Sequence, residues 1–203
     1  MQSAIAITRP TRQIAALAAA ASDEALLEGI AAGEKAAMHT FYARHNVRVY
    51  RFIMRMVRNQ ATAEDLVSQV FLDVWRTCGQ FQGRSQVSTW LLSIARFKAL
   101  TALRQRQYED IDQDDVRQIA DEGETPEGAL ERNRTSAILR SCINQLSPAH
   151  REIIDLVYYH EKSVEEAGQI IGIPQATVKT RMFYARKQLL DLLKVAGVGS
   201  LAA

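Results

Sequence analysis

A chain of 203 residues, 47% hydrophobic and 24% charged, is long enough for one large domain or two small ones and apolar enough to bury a core. Two cysteines far apart and four histidines without metal-ligand spacing exclude a disulfide framework and a structural zinc site, and no metal or other cofactor is expected. Net charge is only +2 but is unevenly spread: from Tyr108 to Glu131 ten acidic residues face one basic residue, Arg117, a local −9 that leaves +11 elsewhere. That is the pattern of two basic, polyanion-binding lobes joined by an acidic connector.

Only 10 Gly and 4 Pro occur, and no stretch alternates with period two, so an all-α fold is expected: two small helical bundles joined by an acidic flexible linker. Residues 1–22 are read as a flexible tail. Arg9, Arg12 and an alanine-rich run superficially suggest an export signal, but the run is short and Asp23 and Glu24 follow at once. No window reaches the ~18 apolar residues of a spanning helix. No membrane insertion and a cytoplasmic location are expected.

The first lobe, 23–106, holds four expected helices. They cover about 23–32 capped by Ser22, 34–58, 63–77 capped by Thr62 with Asp65 in its first turn, and 86–106 after a turn-rich patch at 79–85. The stripe Arg44, Arg48, Arg51, Arg55 and Arg58 lies at helical spacing, either as a solvated face or as an electrostatic guide. The acidic linker is 107–126. The second lobe, 127–196, is expected to hold helices over about 127–145, 147–160, 164–171 and 174–195, with a tail at 197–203.

The most informative stretch is Ser163 to Leu190. Ser163-Val164-Glu165-Glu166 reads as a capping box. Gly172 follows the last helical turn, where a left-handed residue is wanted, and Ile173 is an apolar plug ahead of Pro174. Gly168 leaves room for close helix approach. This spacing matches a helix-turn-helix, whose second helix enters the major groove. At about 100° per residue, Val178, Met182, Ala185 and Leu189 face inward. Ala176, Thr180, Phe183, Tyr184 and Lys187 face outward, flanked by Lys179 and Arg186, with Arg181 at the edge. The plainer alternative is an ordinary helical hairpin.

Several segments together carry a family resemblance. Leu146-Ser147-Pro148-Ala149-His150-Arg151-Glu152, followed by Ile173 to Arg181, resembles region 4 of bacterial extracytoplasmic-function (ECF) sigma factors. Ala63 to Trp75 resembles the polymerase-binding helix of their region 2, and Phe81 to Ser85 with Thr89 to Arg96 resembles its promoter-melting part. The resemblance implies a promoter-specificity subunit, not an enzyme. Its partners would be core RNA polymerase (the β′ clamp helices and the β flap), promoter DNA and an anti-sigma factor. By position, Lys179, Thr180, Phe183 and Tyr184 would read minus-35 bases, with Arg181, Gln175 and Thr177 beside them. Arg84, Ser85, Trp90, Arg96, Phe97 and Lys98 would handle the minus-10 strand, and Asp65, Gln69, Phe71 and Trp75 would meet polymerase.

The residues leave alternatives open. Trp90 and the apolar members of the 63–77 helix, much of Phe71 included, are read from the residues alone as core more often than as contact surface. The chain departs from the family where Ser68-Gln69 replaces the common Gln-Glu, and where Phe97 replaces an Asn that reads a flipped minus-10 base. It departs again at Ala167-Gly168, where Gly costs about 1 kcal/mol of helix propensity relative to Ala. A stand-alone helix-turn-helix regulator is the competing function. A catalytic role lacks any nucleophile–base pair, phosphate loop or metal set.

Overall fold

The computed structural model describes residues 21–110 and 130–197, and among these it contains helices and no strand. The first lobe comprises α1 (Asp23–Ala31), α2 (Lys35–Val57), α3 (Gln60–Thr77), a 3-10 turn (Cys78–Gln80) and α4 (Val87–Asp110). The second comprises α5 (Leu130–Gln145), α6 (Pro148–Ile154) with a π-helical turn (Asp155–Tyr159), α7 (Val164–Ile171) and α8 (Gln175–Val195). The expected tails over 1–20 and 198–203, the linker over 111–126 and the start of the helix expected from 127 lie outside the described residues.

Local chemistry sets the helix ends. The Ser22 hydroxyl accepts from the Ala25 N–H at 3.2 Å, capping α1. The cap of α3 is Asn59 and not Thr62: Asn59 Oδ1 accepts from the Thr62 N–H at 2.8 Å. The reason lies one residue earlier. Arg58 takes a left-handed conformation (φ 53°, ψ 30°), which ends α2 and leaves Asn59 extended in the cap position. α4 continues past residue 106 to Asp110, so the first residues expected in the linker are helical. Ser147 accepts from the His150 N–H at 3.3 Å, with Pro148 in the first turn of α6, where its missing N–H costs little.

Apolar periodicity aligns the core. Phe41, Val49, Phe52 and Ile53 of α2 meet Val70 and Val74 of α3 and Leu91, Leu92 and Ala95 of α4. In the second lobe Ile153, Leu156, Ala167, Ile170, Val178 and Ala185 are buried. Complete burial of such an aliphatic or aromatic side chain contributes about 1.5–3 kcal/mol, which offsets the ordering of the helices that carry it. The buried side chains of the two lobes join in one apolar cluster. α4 packs on α7, and the Phe52 ring meets the His160 ring edge-on at 5.3 Å.

Candidate nucleic-acid and polymerase interfaces

The second lobe presents α8 on a rigid mount. The Ser163 hydroxyl accepts from the Glu166 N–H at 3.1 Å, and Glu166 Oε2 accepts from the Ser163 N–H at 3.0 Å, closing the expected capping box. Gly172 sits at φ 76°, ψ 38°, which lets the chain reverse without a Cβ penalty. The Gly172 and Ile173 amides both donate to the Gly168 carbonyl, at 2.8 and 3.0 Å. α7 and α8 therefore meet at a fixed angle around Gly168.

The two faces of α8 separate as the angular reading requires. Val178, Met182 and Ala185 are buried, and Leu189 packs at the edge of the core. Gln175, Lys179, Thr180, Phe183 and Tyr184 are exposed, while Thr177 and Arg181 are half-buried. Phe183 and Tyr184 are 62% and 53% exposed and hold their rings edge-to-face at 5.4 Å. Two large aromatic rings on solvent cost apolar hydration, which a partner surface laid over them would remove. Arg186 Nε donates to the Tyr158 hydroxyl at 2.6 Å, so that guanidinium is oriented along the same surface.

In the first lobe Arg84 is exposed and Ser85 half-buried. Trp90 is half-buried and packs on Phe81, with ring centroids 5.3 Å apart. Phe97 is 68% exposed on α4. Lys98 pairs with Asp73 at 2.8 Å. Arg96 points the other way, toward the second lobe, where its Nε donates to Glu152 Oε1 at 2.7 Å. A cleft between α3 and α4 is lined by Thr62, Asp65, Gln69, Phe97, Lys98 and Thr101, among others. It joins residues expected to touch polymerase (Asp65 and Gln69) to residues expected to touch the minus-10 strand (Phe97 and Lys98).

On α3, Asp65 and Gln69 are exposed, and Trp75 is 37% exposed. Phe71 departs from the contact role that the resemblance implies and takes the core role that the residues favour: it is 3% exposed and packs against Phe41 and Tyr42. Its angular position shares the core face with Val67 and Val74. Leu72, absent from the sequence-based site, is 45% exposed. The spacing 65, 69, 72 follows one helical face and gives the signal that finds it. Of the arginine stripe, Arg55 pairs with Asp155 and lies 3.9 Å over the Tyr159 ring. Arg58 donates to Asn144 Oδ1 at 3.2 Å.

Two carboxylate and imidazole environments stand out. Burial alone would raise the Glu166 carboxyl. The Lys162 ammonium, the Thr89 hydroxyl and the Ser163 amide overcome it and bring the group to about 2. Burial pushes the His45 imidazole below its ordinary value, partly offset by Asp23, whose Oδ2 lies 3.0 Å from His45 Nε2. No group of three or more metal-ligating side chains occurs among the described residues.

The two lobes match two family models in order: residues 41–108 match sigma-70 region 2 and residues 142–190 match sigma-70 region 4. RNA polymerase sigma factor CarQ of Myxococcus xanthus is 32% identical over 164 residues, covering 79% of this chain and 91% of that protein. ECF RNA polymerase sigma factor SigK of Mycobacterium tuberculosis is 28% identical over 186 residues, covering 85% and 94%. The chain belongs to the ECF sigma factors of the sigma-70 superfamily. Region 2 fills the lobe that a stand-alone helix-turn-helix regulator leaves unexplained, and that alternative falls.

Among solved structures, this sigma factor resembles the sigma factor RpoE co-crystallised with the anti-sigma factor NepR from Bartonella quintana. The TM-score is 0.65 at 27% identity, over 76% of this chain and 94% of that one. It shares its fold with CnrH in complex with the cytosolic domain of CnrY, at a TM-score of 0.62 and 22% identity over 85% and 97%. No helix among the described residues of the sigma factor is long and apolar enough to cross a membrane.

Proposed function

We propose that this ECF sigma factor, which directs promoter-specific initiation by core RNA polymerase, divides its work among three surfaces. The outward face of α8 reads the minus-35 duplex: Lys179, Thr180, Phe183 and Tyr184 meet base edges, with Gln175, Thr177 and Arg181 on the flanking phosphates and bases. A cation and hydroxyl on such a face supply hydrogen bonds to base edges and phosphates, and the rings suit thymine methyls. The α3–α4 surface takes the minus-10 strand. Arg84 and Lys98 provide charge and Ser85 a hydroxyl, Arg96 adds charge from the face of α4 turned toward the second lobe, Trp90 shapes the wall, and Phe97 stacks on an extruded base. Asp65, Gln69, Leu72 and Trp75 present a mixed acidic and apolar strip to a polymerase helix. Phe71 supports that strip from beneath.

The single observation that carries this reading is the exposure of Phe97 and of the Phe183–Tyr184 pair on two separate basic lobes. The chain does no chemistry of its own, acts in the cytoplasm, and is held in check by an anti-sigma protein, as the complex containing the similar Bartonella quintana sigma factor suggests. Photocrosslinking tests the division. A benzoyl-phenylalanine at 97 in the polymerase-bound chain is expected to label the minus-10 non-template strand, and one at 183 the minus-35 duplex. Labelling of the reverse elements, or of polymerase alone, refutes the assignment.

A further inference from the structure

Arg186 is held differently from the other ordered arginines. Arg44, Arg55 and Arg96 each pair with a carboxylate, that of Asp23, Asp155 and Glu152 respectively. Arg186 is held by a neutral group. Its Nε donates to the Tyr158 hydroxyl at 2.6 Å, and its guanidinium carbon lies 5.5 Å from the centre of the Tyr158 ring. Among the described residues no carboxylate pairs with it, and its two terminal nitrogens make no hydrogen bond. A guanidinium fixed by a phenol keeps its charge and its two-pronged edge for an anion. The phenol, which accepts from Nε, keeps its own proton to donate. Both side chains are exposed, Tyr158 to 54%.

The backbone departs from regular helix to present this pair. Tyr158 lies in the π-helical turn Asp155–Tyr159, which the His160 N–H closes on the Asp155 carbonyl at 3.1 Å. The wider turn buries Asp155 and Leu156 and leaves Tyr158 on the solvent side beside α8. Glu161 then takes φ 54°, a left-handed conformation uncommon outside glycine. The Lys162 N–H returns to the Leu156 carbonyl at 2.9 Å and fixes the loop. Local departures of this kind concentrate at functional sites.

The pair stands on one flank of the reading face. Lys179, Phe183 and Arg186 follow the spacing i, i+4, i+7 and share one strip of α8. With Val164 of α7 and Lys187 they line a shallow groove whose walls hold three cations and no carboxylate. Arg186 lies seven residues beyond Lys179, about 10 Å along the axis, or about three base-pair steps of duplex. In a helix-turn-helix the first helix crosses the sugar-phosphate backbone while the second enters the major groove. The backbone therefore passes along the side of α8 that faces α7, where the unoccupied edge of Arg186 meets it.

We propose that Tyr158 and Arg186 form a phosphate clamp on the backbone flanking the minus-35 element. Arg186 binds the phosphate, and Tyr158 is the positioning residue that fixes the guanidinium for it. The clamp rests on the assignment of α8 to the minus-35 duplex and adds to the base readers a contact that is blind to sequence.

The test uses the full chain assembled with core polymerase and a fluorescent promoter duplex carrying both elements, titrated at several salt concentrations. Tyr158→Phe keeps the ring. It is expected to retain the thermal unfolding midpoint of the free chain and to bind the duplex about tenfold more weakly, the worth of one hydrogen bond to a charged group. Arg186→Gln is expected to lose at least as much and to lower the slope of log affinity against log salt by about one. Adding Tyr158→Phe to Arg186→Gln changes affinity by less than about twofold, because the phenol acts through the guanidinium. Both losses are equal on a second duplex with one minus-35 base pair altered. An unchanged affinity in Tyr158→Phe overturns the clamp. So does an undiminished loss from Tyr158→Phe in the Arg186→Gln background, or a loss confined to one duplex. Weaker assembly with polymerase in place of weaker duplex binding also overturns it and assigns the pair to a protein partner. Phe183→Ala judges the α8 assignment separately. Discrimination between the two duplexes that survives Phe183→Ala overturns that assignment, whereas its loss together with a silent Tyr158→Phe overturns the clamp alone.

Discussion

Gly168→Ala offers a sharp test of how the recognition helix is mounted, because two physical terms oppose each other there. Alanine is about 1 kcal/mol better than glycine in a helix interior, so propensity alone predicts a more stable protein. A Cβ at Gly168, however, falls 2.9 Å from the Ile173 carbonyl oxygen and 3.6 Å from Val178 Cγ2. Carbon–oxygen contacts settle at about 3.3–3.6 Å, so the turn must move by roughly half an ångström. That turn is pinned, since the Gly172 and Ile173 amides both bond to the Gly168 carbonyl. Overpacking of this kind costs about 1–3 kcal/mol. The balance is a net destabilisation of about 1 kcal/mol, with α8 displaced and minus-35 duplex binding weakened. Denaturant unfolding and duplex titration measure both. A variant stabilised by about 1 kcal/mol with unchanged duplex affinity refutes the reasoning.

Other substitutions probe the separate surfaces. Phe97→Asn is expected to change base preference at the minus-10 element and leave minus-35 preference intact, as read from initiation on a promoter library. Unchanged minus-10 preference removes Phe97 from base reading. Lys179→Ala is expected to weaken minus-35 binding and to reduce the slope of log affinity against log salt by about one; an unaltered slope rules out a phosphate contact by that ammonium. Glu166 has its carboxyl lowered from 4.5 to about 2, so its contribution to stability is complete above pH 4.5 and is lost as pH falls from 4.5 toward 2. Acid unfolding of Glu166→Gln is expected to show a shallower loss over that window, and an identical acid profile contradicts the pairing with Lys162. His45, pushed down by burial, penalises the folded state as pH drops below 6.5. His45→Gln flattens that part of the stability curve, and an unchanged slope there excludes a buried neutral imidazole.

Features that are local in sequence were legible in it. The Ser163–Glu166 capping box, the left-handed Gly172 and the inward Val178, Met182 and Ala185 follow from spacing alone, because each depends on neighbours within one or two turns. The exposure of Phe183 and Tyr184 followed from the same angular argument. The cap of α3 was misplaced because two cap-forming residues, Asn59 and Thr62, lie three apart, and only the left-handed Arg58 selects the first. For Phe71 family position implied a polymerase contact while the apolar pattern of α3 favoured the core, and the core is where it lies. The pairing of Arg96 with Glu152, of Arg55 with Asp155 and of Lys162 with Thr89 had no sequence signal at all. These contacts join residues more than fifty positions apart, and lobe docking rather than helix periodicity decides them.

The central claim is that this chain confers promoter specificity on core polymerase through both lobes. Initiation by purified core polymerase, with and without the chain, on promoters mutated in one element at a time tests it most directly. The account predicts chain-dependent transcripts that fall when either the minus-10 or the minus-35 element is altered, with Lys179→Ala insensitive to further minus-35 changes that depend on its contact. Transcription that is independent of the chain, or indifferent to one of the two elements, contradicts it.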